Sequence, residues 1–245
     1  MKKILIIISL SLSLFGFTSV KELRFESGIS IYGQVGFADI ELEENFDKNT
    51  YKMTTVTSST GVVRVLTANR SDTFISEGII KNGVYVPQKF TKRTAKTDYE
   101  KVTTYIFDYE NDTVLKEKVT KKNETVSKFD PFTFEFTKSK KLVVDKVTEN
   151  VELSNNDFLT LYLNLKHGNL KKGNVKYIDQ DEDDSISLVD EDLFEVQKDN
   201  GNEKYKILLI GDKGSIFFHE AVAKNIAFYG DAYIKKISEK NRVIH

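Results

Sequence analysis

The chain has 245 residues, with 36 Lys and Arg against 37 Asp and Glu, two Pro, no Trp and no Cys. Without cysteine it has no disulfide, no thiol nucleophile and no Cys-based zinc site, so an ordinary apolar core must hold it together. The near-neutral balance gives no basic footprint for nucleic acid and no sign of a polybasic membrane patch.

Met1-Lys2-Lys3 precedes an apolar and small-residue run from Ile4 to Phe17. That is the layout of a secretory signal peptide, a short basic region and then an apolar one. The run is shorter than the ~20 residues a membrane-spanning helix needs. Residues 1–19 are therefore assigned to a signal peptide, with cleavage near Thr18 or Ser19; an uncleaved N-terminal anchor is the alternative. Loss of Lys2 and Lys3 would leave 34 basic against 37 acidic side chains. The expected compartment is the periplasm of a Gram-negative envelope, with no transmembrane span after signal removal.

The β-formers Val, Ile, Thr, Tyr and Phe dominate the chain beyond this segment, and they alternate. Leu23, Phe25, Ile29 and Ile31 open a first strand; Ala38, Ile40 and Leu42 alternate with Asp39, Glu41 and Glu43 in a second. Tyr51, Met53 and Thr55 begin a third. Phe74 to Ile80, the turn Lys81-Asn82-Gly83 and Val84 to Phe90 read as a hairpin, and Pro87 marks its return as an edge or a strand boundary. Val102 to Tyr109 is apolar on both faces, with Tyr105, Phe107 and Tyr109 on one side and Val102 and Ile106 on the other. A sheet of that kind must be covered or must enclose something. Asn111-Asp112 turns into Val114–Val119, and Phe132, Phe134 and Phe136 form a strand or an extended aromatic edge.

One helix stands out over 157–166. Asn156 can cap it, Asp157 suits the positive end of its dipole, and Phe158, Leu161, Tyr162 and Leu165 recur at helical spacing before Gly168 ends it. Beyond it, Val175 to Ile178, Tyr205 to Ile210, Ser215 to Phe218 and Ala232 to Ile237 read as strands, with turns at 199–202 and 211–214. Residues 20–166 make one curved sheet lobe including the helix, and 167–245 a second, smaller β lobe or its continuation, with a seam over Lys166–Gly173. The fold class is mainly β.

Chemistry is sparse. His167, His219 and His245 sit in no metal-ligand spacing, and no nucleophile elbow, P-loop or dinucleotide fingerprint is present. The acidic run Asp179, Asp181, Glu182, Asp183, Asp184 offers oxygens for Ca²⁺, but the EF-hand pattern fails at loop positions six (Asp184) and twelve (Asp190), so a solvated loop is preferred. Glu77 is the one carboxylate worth watching, and its plain role is a strand-end residue. Asn69, Asn111 and Asn123 stand in N-x-S/T triplets, which mean nothing outside a eukaryotic secretory route. No catalytic residue, metal or cofactor is expected. Seventeen Phe and eleven Tyr make either an ordinary core or a ligand-lining surface inside a curved sheet.

Several stretches resemble the periplasmic domain-of-unknown-function family 3108. They are Ser27-Gly28-Ile29 to Ile40-Glu41-Leu42, Tyr51-Lys52-Met53 through Ser58-Ser59-Thr60-Gly61, and Arg70 to Gly78 followed by Pro87. The helix Asp157-Phe158-Leu159-Thr160-Leu161-Tyr162 is similar to the family's Asp-x-x-Ser/Thr-x-x-Tyr helix, and Leu170-Lys171-Lys172-Gly173 to the Leu-Lys-Pro-Gly after it. Asn164-Leu165 departs from it where an Arg often closes the helix, and the stretch from Ala227 lacks the expected Ser-x-Asp and Pro pattern. The resemblance implies a strongly curved antiparallel sheet, a half-barrel similar to those of lipoprotein-localisation factors, which hold acyl chains on a concave apolar face. No catalytic residue carries over.

Three functions remain open. The first is a non-catalytic module that binds a lipid or other apolar small molecule on the concave face, lined by Tyr105, Phe107, Phe134 and Tyr162. It fails if helix and side chains plug the sheet completely. The second is a cell-envelope interaction protein that adds a partner strand to a sheet edge. The third is a hydrolase, which needs His219 or His167 beside a Ser and a carboxylate.

Overall fold

The structure is a computed structural model that describes residues 17–132, 134–170, 173–178, 185–190, 193–197, 204–212, 215–224 and 231–244. The alternating segments become β1 (Thr18–Ile29), β2 (Gly33–Asn45), β3 (Thr50–Ser59), β4 (Ser71–Lys81), β5 (Val84–Lys96), β6 (Tyr99–Asp108), β7 (Thr113–Asp130) and β8 (Glu135–Glu152), each antiparallel to the one before. Helix α1 (Gly61–Leu66) links β3 to β4, and helix α2 (Phe158–Lys166) comes after β8. Then come β9 (Gly173–Lys176), β10 (Ser185–Asp190), β11 (Leu193–Gln197), β12 (Lys204–Ile210), β13 (Glu220–Lys224) and β14 (Ala232–Ile244). These join one open sheet in the order β8-β7-β6-β5-β4-β3-β2-β1-β14-β13-β12-β11-β10-β9. The fold is mainly β, and the sheet is not closed into a barrel. The first and last strands lie side by side, from Thr18 opposite Ile244 to Ile29 opposite Ala232.

Local chemistry explains the joints. Asn82 and Gly83 have φ of 53° and 78°, the two-residue hairpin turn that matches strand twist. A register shift opposite Glu77/Gly78 leaves Gln88 as an extra residue in β5, and β5 pairs with β6 only from Lys89 onward. Pro87 therefore sits where β5 is bonded on its β4 side alone, the edge position a proline tolerates. Asp157, rather than Asn156, caps α2: its carboxylate accepts from the backbone N–H of Leu159 (2.9 Å) and Thr160 (3.0 Å). Asn156 instead accepts from Asn164 Nδ2 at 3.1 Å.

Several stretches differ from the expectation. Helix α1 appears where the Val-rich composition carries no helix signal. Ser215–Phe218 is a bent segment and not a strand; β13 begins only at Glu220. Phe132 and Phe134 stand in the turn between β7 and β8, with Phe134 at φ 55°. β7 runs well past Val119, and β6 accompanies it only to Lys122. Residues 123–130 and 135–142 are therefore paired as strands only with each other, in a two-stranded ribbon beyond the sheet. The acidic run 179–184, the turn at 199–202, residues 213–214 and the proposed signal up to Gly16 lie outside the described residues.

The core sits on the face that carries Leu23, Phe25, Leu42, Met53, Phe90 and Tyr105. α2 lies against it with Leu159 and Leu163 buried. Tyr162 packs on Phe218, ring centroids 5.9 Å apart, and Phe218 packs on Phe25 of β1 at 5.1 Å. Contacts of the helix with β4 and β5 on one side and with the 216–218 segment on the other require the sheet to curl around it.

Candidate functional site

Two buried polar groups fix α2 on the sheet. In the first, Ser76 Oγ donates to Asp157 Oδ2 at 2.7 Å and Thr160 Oγ1 donates to the same oxygen at 2.8 Å. Tyr51 Oη lies 2.7 Å from Thr160 Oγ1 and 3.1 Å from Ser76 Oγ. Burial raises the Asp157 carboxyl and the Tyr51 phenol above their ordinary values; the hydrogen bonds they make only partly oppose this. A serine hydroxyl on a carboxylate has the outline of a nucleophile and base, but Ser76, Asp157 and Thr160 have no exposed surface to offer a substrate. They are a polar anchor.

In the second group, Asn164 Oδ1 accepts from Tyr85 N–H and its Nδ2 donates to Tyr85 C=O, both at 2.8 Å. The amide satisfies the strand groups that β6 leaves free at this end of β5. Tyr85 Oη donates to Glu44, whose other oxygen lies 3.6 Å from Lys21 Nζ. Burial, then the bond to Glu44, pushes the Tyr85 phenol up.

α2 lies against β4 and β5 and leaves a cleft of about 340 Å³ beside its N-terminal end. The sheet supplies Phe25, Ala38, Ile40, Thr55, Thr57 and Phe74. Phe158, Phe218 and Ile234 complete the wall. Strand alternation puts these side chains on one face: Ala38 is opposite Thr57, Ile40 opposite Thr55, and Thr55 opposite Phe74. Phe158 meets Phe74 edge-on at 5.1 Å, an arrangement aromatic rings prefer. Thr55 Oγ1 is buried with no hydrogen-bond partner among the described residues. A larger depression, about 470 Å³, opens on the opposite face among Glu22, Arg24, Asp39, Glu41 and Lys240. There Arg24 already pairs with Asp39 (3.7 Å), and Arg242 with Glu22 (2.9 Å).

Of the residues expected to line a site, Tyr105 and Phe107 are buried in the core cluster that α2 covers, Tyr105 stacking on Phe90 at 5.9 Å. Tyr162 is half-buried and donates its hydroxyl to the Ile216 carbonyl at 2.6 Å. Phe134 is not with them: it is 80% exposed at the ribbon turn. None of the four lines the cleft. The lining was legible only as half-buried alternation in Leu23/Phe25 and Ala38/Ile40, a signal shared with every core strand. Phe218 reaches the cleft by a pairing that spans the chain.

The sequence profile described as "Protein of unknown function (DUF3108)" matches residues 23–160. The chain belongs to this family. The DUF3108 match runs from β1 into the first turn of α2, so it includes Ser76, Asp157 and Thr160 of the polar anchor and all of the cleft wall except Phe218 and Ile234. Leu170-Lys171-Lys172-Gly173 lies beyond it. No curated protein and no solved structure matches the chain.

The two described histidines have partners of their own. His219 Nε2 is 2.7 Å from Asp212 Oδ2, while Ser215 Oγ donates to the Phe217 carbonyl. His167 lies 3.4 Å from Tyr85 Oη and 2.9 Å from the Leu163 carbonyl. Among the described residues no group of three or more His, Asp or Glu could hold a metal ion, and no helix is long and apolar enough to cross a membrane.

Proposed function

We propose that this DUF3108 protein is an exported, periplasmic, non-catalytic binding protein that holds an apolar or lipid-like ligand in the cleft beside Phe158. The observation that carries the proposal is the cleft itself, with a wall made mostly of Phe25, Ala38, Ile40, Phe74, Phe158, Phe218 and Ile234. The volume falls at the lower end of the range of about 300–1,000 Å³ for small-molecule sites. It suits part of an acyl chain or a compact apolar molecule. The signal-like Lys2-Lys3 and Ile4–Phe17 segment supports export.

The test is native mass spectrometry of protein isolated from its producing cells, followed by organic extraction. A near-stoichiometric apolar ligand is expected in the wild type. It should be lost in Ala38→Phe, which fills the cleft, and in the milder Thr57→Leu if Ala38→Phe misfolds. An empty wild type that also fails to take up added fatty acid would end this reading.

The second reading, strand addition at a sheet edge, is favoured by β8, an edge strand of 18 residues. Lys138, Lys140, Lys141 and Lys146 stud that edge, however, and lysine is a usual guard against edge pairing.

A further inference from the structure

The most exposed large apolar side chains among the described residues gather at one end of the sheet. Phe132 is 93% exposed, Phe134 80% and Leu66 79%; Val62 and Val65 on α1 and Ile31 in the β1–β2 turn are comparably open. Three links show that these elements share one end. Thr60 N–H donates to Val35 C=O at 2.9 Å, joining α1 to the start of β2. Thr97 N–H donates to Ala68 C=O at 3.0 Å, joining the β5–β6 turn to the loop after α1. Asn123 N–H donates to Asp98 C=O at 3.0 Å, joining that turn to the base of the ribbon. From there the ribbon continues for eight rungs, about 27 Å at strand rise.

Residues 121–141, the ribbon and the two residues before it, hold six lysines against three carboxylates, in a chain whose overall net charge is −1. The Asp130–Glu135 rung is next to the aromatic tip and the lysines stand behind it: Lys128 precedes the Phe129–Phe136 rung, and Lys138, Lys140 and Lys141 come further back on β8. Asp98 holds Lys140 at 2.8 Å, which anchors the ribbon's base to the sheet.

We propose that this end of the molecule docks on the surface of an anionic lipid bilayer, the ribbon tip entering the acyl boundary and its lysines resting among the headgroup phosphates. Phenylalanine rings bury at the headgroup–acyl boundary, as on the apolar face of interfacial segments, and long lysine stems allow an ammonium to reach phosphate while the chain beside it goes deeper. The positive excess meets the negative surface potential. The proposal rests on the ribbon and α1 and stands whether or not the cleft holds a ligand.

The protein lacks tryptophan, so Phe134→Trp in the full chain places a single fluorescent reporter on the tip. Vesicles of phosphatidylglycerol and phosphatidylethanolamine should shift its emission to the blue and let lipids brominated in the acyl chain quench it. Phosphatidylcholine vesicles should do so more weakly. In co-sedimentation, F132S/F134S should lower partitioning about tenfold or more with an unchanged melting temperature. Lipid binding by the apolar N-terminal run alone would leave the reporter in water, and an unshifted emission overturns the proposal. A blue shift that tracks protein concentration without vesicles also overturns it, in favour of a contact between copies.

Discussion

Asp157 has no exposed surface, yet it caps α2, binds Ser76 on β4 and accepts the Thr160 hydroxyl. Its carboxyl is raised by burial, so the folded state holds its proton more tightly than the unfolded chain. The resulting stabilisation is complete below the unfolded value of about 3.9 and is lost as pH rises through the higher folded value. Asp157→Asn cannot titrate. The urea midpoint of the wild type relative to this variant should therefore be greatest near about pH 4 and fall toward neutrality. Surface carboxylates such as Asp98, held low by hydrogen bonds from Lys140 and Asn123, act in both proteins and cancel in the difference. A constant difference across that range would show that Asp157 does not titrate in it. Asn164 is the other decisive residue. An amide carries both a donor and an acceptor, so it can close both free groups of Tyr85, which an Arg at this position could not do.

At the scale of elements, the β4–β5 hairpin depends on one close approach. A Cβ on Gly78 would lie 2.1 Å from the Val86 carbonyl oxygen and 2.9 Å from Tyr51. Backbone cannot yield that much without losing the register shift beside it, so Gly78→Ala should destabilise by about 1–3 kcal/mol, seen as a lower urea midpoint. Most strand identities were legible in the sequence, because alternation is a local property of neighbouring residues. The β7–β8 ribbon was not. Its alternating aromatics read as sheet, but nothing in them says that pairing of β7 with β6 stops at Lys122, and only that stop leaves Phe132 and Phe134 outside the core.

For the molecule as a whole, the β1–β14 ladder is the decisive contact. Strands β9 to β13 connect to the first eight only through β14, which runs along the full length of β1. A chain ending at Asp231 would leave β1 and β13 as bare edges, so it should associate and lose its cooperative melting transition, as measured by light scattering on a sizing column and by thermal circular dichroism. A monomeric truncated protein with an unchanged transition would show that the first eight strands and α2 stand alone. The β-rich class, the period of the strands, the hairpin at Asn82-Gly83, the helix after β8 and the family were all determined by the sequence, since each is written in residues close together along the chain. The cleft between Phe74, Phe158 and Phe218, the clamp of Asn164 on Tyr85 and the exposed apolar end were decided only by tertiary structure. They join positions tens to hundreds of residues apart, and their geometry depends on how far each strand pairs and how tightly the sheet curls around α2.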